Sequence, residues 1–282
     1  MEKKFLFNGK IVPEGEAKIP PAFKSAFFGY GVYESVRAFN GRPFCPEWHV
    51  ERFFQSARAV ETEIPYSKTE LEKMLLELIA ANDVSDALVR LLYYGATEKE
   101  AGILVGYTMG FHFYPDKNYK QGMGAITFPF ERILPQAKTL DLLGGFLALR
   151  GATRKNCVEA LFVDRSGCVT EGTRSNFFII GKDGKLATAP KEKVLEGITR
   201  KAIVENLPKE IEFEERAITI GELSSAKEAF ATSTVFGVMP LVEIDGRKIG
   251  DGAVGEVTKA IKIAYDDHVK HYCFESDRGA GE

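Results

Sequence analysis

A chain of 282 residues is long enough for a large core, and at roughly 100–200 residues per domain it predicts two domains. Its formal net charge of −3, with both signs interspersed, builds no field that would gather a polyanion, which excludes nucleic acid as a partner. Cys45, Cys157, Cys168 and Cys273 fall in no metal-ligand spacing and read as free thiols of a reducing compartment. With no signal-peptide core and no apolar run of about 18 residues, the expectation is a cytoplasmic protein that does not span a membrane.

Lys4–Val12 predicts two short strands around Asn8-Gly9, and Gly31–Phe39 with Pro43–Cys45 predicts a second pair around Asn40-Gly41, since these dipeptides accept the positive φ of tight hairpins. Pro46–Val60 then changes to helical period, with Arg52 in its middle. A second amphipathic helix is expected over Thr69–Asn82, opened by a Thr69-x-x-Glu72 capping box. Ala87–Tyr94 and Ile103–Phe113 read as strands that complete a first α+β domain over 1–115, and the polar stretch 116–123 reads as a linker.

The second domain, 124–282, begins with a strand over Gly124–Phe130 and a helix over Lys138–Asn156. Two apolar strands, Ala160–Val163 and Phe177–Ile180, flank a polar corner that carries Glu171 and Arg174, charges that are costly beside a buried sheet unless something uses them. Gly197-Ile198-Thr199-Arg200 opens a helix that runs to Leu207, and such a start is a natural anion seat. Further strands are expected over Glu212–Ala217 and Glu228–Thr232, with a last hairpin at Asp245-Gly246 after Leu241–Ile244. A closing helix spans Gly255–Tyr272, and the tail after Cys273 is expected to be disordered.

Lys138 follows Pro135 and precedes an apolar run. It is either a surface lysine at a helix start or an amine made nucleophilic by desolvation and suited to a Schiff base. Arg52 either snorkels from its helix or binds an oxyanion. Ser233-Thr234 follows an apolar strand and offers hydroxyls and backbone N–H groups in a turn, a weak phosphate-cradle signal. No GxSxG, HExxH, P-loop or GxGxxG pattern is present.

The order of motifs resembles the class IV aminotransferases, pyridoxal-phosphate enzymes that include D-amino-acid and branched-chain aminotransferases and aminodeoxychorismate lyase. The resemblance rests on Phe28–Glu34 (FGYGVYE), His49-x-x-Arg52, Lys138–Leu143 (KTLDLL), Val169–Asn176 (VTEGTRSN) and Leu195-x-Gly197-Ile198-Thr199-Arg200, and it covers nearly the whole chain. It implies fold type IV: a small α+β N-terminal domain and a larger α/β pseudo-barrel domain, with the cofactor between them and a homodimer as the assembly. Carried over by residue, Lys138 is the catalytic lysine that forms the internal aldimine, and Glu171 faces the pyridine nitrogen. Arg52, Gly197, Ile198, Thr199, Ser233 and Thr234 hold the phosphate side, and Thr173 belongs to the same cofactor-binding set.

The implied reaction is a ping-pong exchange between an amino acid and a 2-oxo acid, with the substrate against Tyr33, Arg90, Arg174 and Val235. The carboxylate site departs from the relatives. Tyr94 stands where D-specific enzymes carry an arginine, and Leu88 replaces the tyrosine of the branched-chain Tyr-x-Arg while Arg90 is kept. Leu142-Leu143 match the D-specific enzymes, and Arg174 stands where relatives have a small or neutral residue. Arg174 therefore either binds the substrate carboxylate, alone or with Arg90, or faces solvent or pairs with an acid. The resemblance favours a D-amino-acid substrate, with a branched-chain L-amino acid as the alternative and a lyase or a non-catalytic binder as further rivals.

Overall fold

The computed structural model describes residues 2–110 and 114–275. Its internal contacts divide the chain into two units, Met1–His112 with Ala137–Asp141 and Val269–Glu282, and Phe113–Gln136 with Leu142–His268. Residues 111–113 of the expected strand Ile103–Phe113, and the tail from 276 on, lie outside the described residues.

The first unit is an antiparallel sheet of β1 (Lys4–Phe7), β2 (Lys10–Pro13), β3 (Gly31–Phe39), β4 (Arg42–Pro43), β5 (Ala87–Tyr94) and β6 (Ile103–Gly110), in the order β2-β1-β6-β5-β3-β4. Asn8 and Asn40 turn the two hairpins at φ of 45° and 50°, as the dipeptides predict. After the short α1 (Lys24–Phe28), helices α2 (Pro46–Ala59) and α3 (Lys68–Ala81) bury Val50, Phe53, Leu71, Leu75 and Leu78 with Val32, Val36, Val89 and Leu91 of the sheet. The cap of α3 is Ser67 with Glu70 rather than Thr69 with Glu72: Glu70 N–H donates to Ser67 Oγ at 3.2 Å and Ser67 N–H to Glu70 Oε2 at 2.7 Å. The first helical residue is Lys68, so the box sits two residues before the expected one.

The expected helix over Lys138–Asn156 is corrected in its first part. Tyr33 N–H donates to Lys138 O at 2.9 Å, Leu140 N–H donates to Gly31 O at 3.0 Å, and Thr139 bridges Val32, so this stretch runs as an extended segment beside β3. Its backbone groups are committed to the sheet, and the helix begins only at Leu143.

In the second unit, α4 (Asp116–Gln121) occupies most of the stretch expected as a linker. It starts after Pro115, packs on a sheet strand and donates the Tyr119 hydroxyl to Phe236 O at 3.0 Å, contacts that give a polar segment a reason to fold. The sheet comprises β7 (Met123–Pro129), β8 (Glu159–Val163), β9 (Cys168–Gly172), β10 (Asn176–Ile180), β11 (Leu186–Thr188), β12 (Phe213–Glu215), β13 (Ile218–Thr219), β14 (Glu228–Ser233), β15 (Gly237–Ile244) and β16 (Arg247–Lys248). Strands β10-β14-β15-β7-β8-β9 are neighbours in that order, and β9 pairs back onto β10 through Glu171 and Asn176, which closes the sheet into a barrel.

Leu161, Val169, Phe177, Ile179, Ala231, Met239 and Leu241 belong to the core of this unit. Helix α5 (Leu143–Arg154) connects the parallel pair β7 and β8 and packs Ala148 and Ala152 against Ile126, Ala160 and Phe162. Helices α6 (Ile198–Glu205), α7 (Ile220–Leu223) and α8 (Glu256–Lys270) complete the α-helices of the described residues. Among the described residues, no helix is long and apolar enough to cross a membrane.

Candidate active site

In the first unit, Lys138 is fixed by its backbone on both sides: its N–H donates to Ser56 Oγ of α2 at 3.0 Å, and its carbonyl accepts from Tyr33. The amine lies 4.4 Å from the centre of the Tyr33 ring, and the guanidinium carbon of Arg90 lies 5.3 Å from the same ring. Arg90 Nε is buried with no hydrogen-bond partner among the described residues. A lysine, an aromatic wall and an arginine thus form one cluster on β3, β5 and the extended segment.

Arg52 does not snorkel, since only 7% of it is exposed. Its Nε and Nη2 donate to Glu34 Oε1 and Oε2 at 2.7 and 2.8 Å, and His49 Nδ1 lies 2.8 Å from Oε2. Burial alone would raise the Glu34 carboxyl, but the Arg52 guanidinium and the hydrogen bonds from His49 and Arg52 hold it well below the usual carboxylate range. Burial lowers His49, and the nearby charges of Arg52 and Lys138 act in the same direction against the Glu34 bond. The imidazole is therefore neutral near pH 7 and donates from Nδ1 to the carboxylate.

In the second unit, Glu171 is on β9 rather than in a polar corner, because the residues between the two expected strands form a strand of their own. It is 5% exposed; Oε1 accepts from Arg132 Nη1 at 3.1 Å and Oε2 from Leu195 N–H at 3.0 Å. Asn176, its partner at the barrel seam, donates Nδ2 to Leu195 O at 2.7 Å and accepts from Gly197 N–H at 3.1 Å. The seam therefore pins the Leu195–Gly197 turn, and with it the start of α6. A Cβ at Gly197 would stand 2.1 Å from Asn176 Oδ1, so any side chain there would displace the amide that holds the turn.

Helix α6 opens with no side-chain cap, and both Ile198 and Thr199 are buried. Its first N–H groups form an anion seat with no side chain already in it. Next to Asn176 runs Thr232 of β14, and the strand ends at Ser233, whose Oγ accepts from Val235 N–H at 3.2 Å and Phe236 N–H at 3.3 Å to shape the Thr234-Val235 turn. A cavity of about 190 Å³ also adjoins Glu171 and Arg132 and is lined by Pro135, Phe162, Thr170 and Lys193.

Thr173 and Ser175 turn their hydroxyls to Glu159, at 2.5 and 2.7 Å. The exposed Arg174 between them donates Nη2 to the Tyr114 hydroxyl at 2.8 Å and to Val158 O at 3.4 Å, with its guanidinium carbon 5.9 Å from the Phe236 ring. It makes no ion pair with an acid among the described residues. Four residues of this architecture escaped the sequence reading: Glu34, Arg132, Glu159 and Asn176. Glu34 and Asn176 stand inside the quoted motifs, and a glutamate heading the apolar strand ALFV signalled Glu159; nothing in spacing marked Arg132.

The family model for amino-transferase class IV matches residues 31–244. The chain is 33% identical over 277 residues to a putative branched-chain-amino-acid aminotransferase of Methanocaldococcus jannaschii, covering 94% of this chain and 96% of that one. It is equally 33% identical over 276 residues to a D-alanine aminotransferase of Bacillus licheniformis, covering 94% and 97%. Among solved structures, a T.th. branched-chain amino acid aminotransferase with pyridoxamine 5'-phosphate superposes with a TM-score of 0.88 at 28% identity over 95% of this chain and 94% of that one. The enzyme of Thermoproteus uzoniensis with norvaline also gives 0.88 and 28%, over 98% and 97%. With its closed barrel, its lysine cluster and these relatives along nearly its full length, the chain belongs to the class IV aminotransferases, a family of pyridoxal-phosphate enzymes of fold type IV.

Proposed function

We propose that this aminotransferase exchanges an amino group between a D-amino acid and a 2-oxo acid, with Lys138 as the residue that carries the cofactor and moves the proton. The observation that carries the reading is the Lys138 amine on the Tyr33 ring with Arg90 on the same ring, which groups a base, an aromatic wall and a carboxylate-binding cation. Its residues fit pyridoxal phosphate. Glu171 is a buried carboxylate suited to a protonated pyridine nitrogen, and the uncapped start of α6 suits phosphate oxygens. When bound, the cofactor supplies an electron-accepting ring that lowers the cost of removing a proton from the substrate α-carbon.

In this reading Lys138 Nζ would hold the cofactor and act as the base toward the substrate α-proton. Glu171 keeps a proton on the ring nitrogen, and Arg132 with Leu195 N–H holds the carboxylate in place. Arg52, the Ile198 and Thr199 N–H groups and the Ser233 and Thr234 hydroxyls bind phosphate, with Gly197 allowing the turn; Thr173 serves the site through Glu159. The substrate carboxylate is bound by Arg174, with Arg90 as the second cation, and Tyr33 and Val235 wall the side chain. A homodimer belongs to this reading, and the exposed Leu143, Phe146 and Leu147 of α5 supply apolar surface for it.

Several D-alanine aminotransferases at 32–33% identity support the D-preference. A branched-chain L-amino acid is the second reading, favoured by the solved relatives. Paired D- and L-amino acids assayed with 2-oxoglutarate and pyruvate decide between them. Turnover of D-alanine supports the first reading; turnover of only L-leucine or L-valine overturns it.

A further inference from the structure

Glu159 is fully buried at the head of β8, yet no lysine or arginine neutralises it among the described residues. Its two oxygens accept four hydrogen bonds. Oε1 takes the Ala160 N–H at 2.9 Å, the Thr173 N–H at 3.1 Å and the Thr173 hydroxyl at 2.5 Å; Oε2 takes the Ser175 hydroxyl at 2.7 Å. Four donors match the acceptor capacity of one carboxylate, which is how a charge can be buried without a counter-ion.

The donors are not scattered. Three of the four come from Thr173 and Ser175, the residues on either side of Arg174, and all lie in the turn that joins β9 to β10 at the barrel seam. The turn fits tightly: a Cβ at Gly172 would lie 2.1 Å from Ser175 Oγ and 2.8 Å from Glu159 Cδ. With both flanking hydroxyls bound to Glu159, the Arg174 side chain reaches the Tyr114 hydroxyl, Val158 O and the Phe236 ring beside the Thr234-Val235 turn. A flexible surface arginine would lose rotamer freedom on binding a carboxylate, and a clamped backbone removes part of that cost in advance.

We infer that Glu159 is a positioning residue for substrate recognition, a hydrogen-bond clamp on the Thr173–Ser175 turn that aims Arg174 at the substrate carboxylate. The inference rests on the carboxylate role proposed for Arg174. The clamp works by hydrogen-bond geometry, not by net charge. A glutamine can reproduce it, because its oxygen keeps the three bonds of Oε1 and its amide donates to a Ser175 hydroxyl that rotates to accept.

The test is steady-state KM and kcat for pyruvate on purified holoenzyme, with an amino donor that bleaches the cofactor. Arg174→Ala is expected to raise KM at least tenfold. Glu159→Ala should raise it at least fivefold with kcat within threefold of the parent, and Glu159→Gln should stay within threefold in both. In the Arg174→Ala background, Glu159→Ala should add nothing further to KM. Should Glu159→Ala fail to fold, Ser175→Ala and Thr173→Val remove the two hydroxyl bonds from the other end, leave the two backbone N–H bonds, and should raise KM in the same non-additive way. An unchanged KM in the Glu159, Ser175 and Thr173 variants beside a raised KM in Arg174→Ala overturns the clamp and leaves the Arg174 reading standing. A KM unmoved by Arg174→Ala overturns both, and a Glu159→Gln as impaired as Glu159→Ala overturns the geometric account.

Discussion

Replacing Glu34 by alanine should destabilise the first unit more than a typical core substitution. The carboxylate is fully buried and accepts from Arg52 twice, from His49 Nδ1 and from Ser35 N–H at 3.2 Å. Without it a guanidinium that is 7% exposed loses its carboxylate, and His49 loses its one bonded nitrogen, since Nε2 already has no partner among the described residues. Breaking a buried pair from one side costs about 3–5 kcal/mol. That is a large share of the roughly 5–15 kcal/mol that holds a domain folded. Adding Arg52→Met removes the charge that the carboxylate offset and should recover about half of the loss, because an apolar replacement of both partners is often close to neutral.

The assay is urea unfolding followed by the single tryptophan, Trp48, which sits on α2 beside His49. The pH dependence has a defined sign. The Glu34 carboxyl is held below its ordinary value, so its stabilisation is fully present above the unfolded value of about 4.3 and is lost as pH falls through the folded one. His49 is lowered by burial, so acidification below about 6.5 also favours the unfolded chain. Acid should therefore lower the Trp48 midpoint of the parent, with a weaker dependence below about pH 4.3 in Glu34→Ala. A Glu34→Ala unfolding free energy within about 0.5 kcal/mol of the parent, or a double variant no better than the single one, would refute the reasoning.

Asn176→Ala and Gly197→Ala each disturb the bond that pins the start of α6, and each should weaken pyridoxal-phosphate binding about tenfold in an absorbance titration of apoenzyme, the effect of one or two net hydrogen bonds. The double variant should be no worse than the weaker single one, and additive losses would show that the two act separately. Arg132→Met takes from Glu171 the guanidinium that meets Oε1 and leaves the Leu195 N–H on Oε2, so kcat should fall at least fivefold while KM for the oxo acid changes less than twofold. A shift confined to KM would count against a role on the cofactor side.

Where backbone chemistry speaks locally, the chain could be read directly. Asn8-Gly9 and Asn40-Gly41 specified their hairpins, and the period of α2 and α3 gave those helices to within a residue or so. Lys138 was harder, because its apolar neighbours mimic a helix start, and only the bonds to Gly31 and Tyr33 show that the segment belongs beside β3. Strand β9 was missed because Cys168–Gly172 is short and polar; it is stabilised by pairing with β8, β13 and Asn176, which no local pattern reports. Arg52, Lys138, Glu171 and Gly197–Thr199 were legible because a motif keeps them in a recognisable order in sequence. Arg132 and Glu159 reach the site through long-range contacts, 39 residues from Glu171 and 14 from Thr173.

The central claim is that Lys138 carries the cofactor. Borohydride reduction of the yellow holoenzyme, followed by proteolysis and mass spectrometry of the phosphopyridoxyl peptide, tests it directly. The label should sit on Lys138 and be lost, together with transamination, in Lys138→Ala. A label on another lysine, or a Lys138→Ala variant that still transaminates at the parent rate, would contradict it.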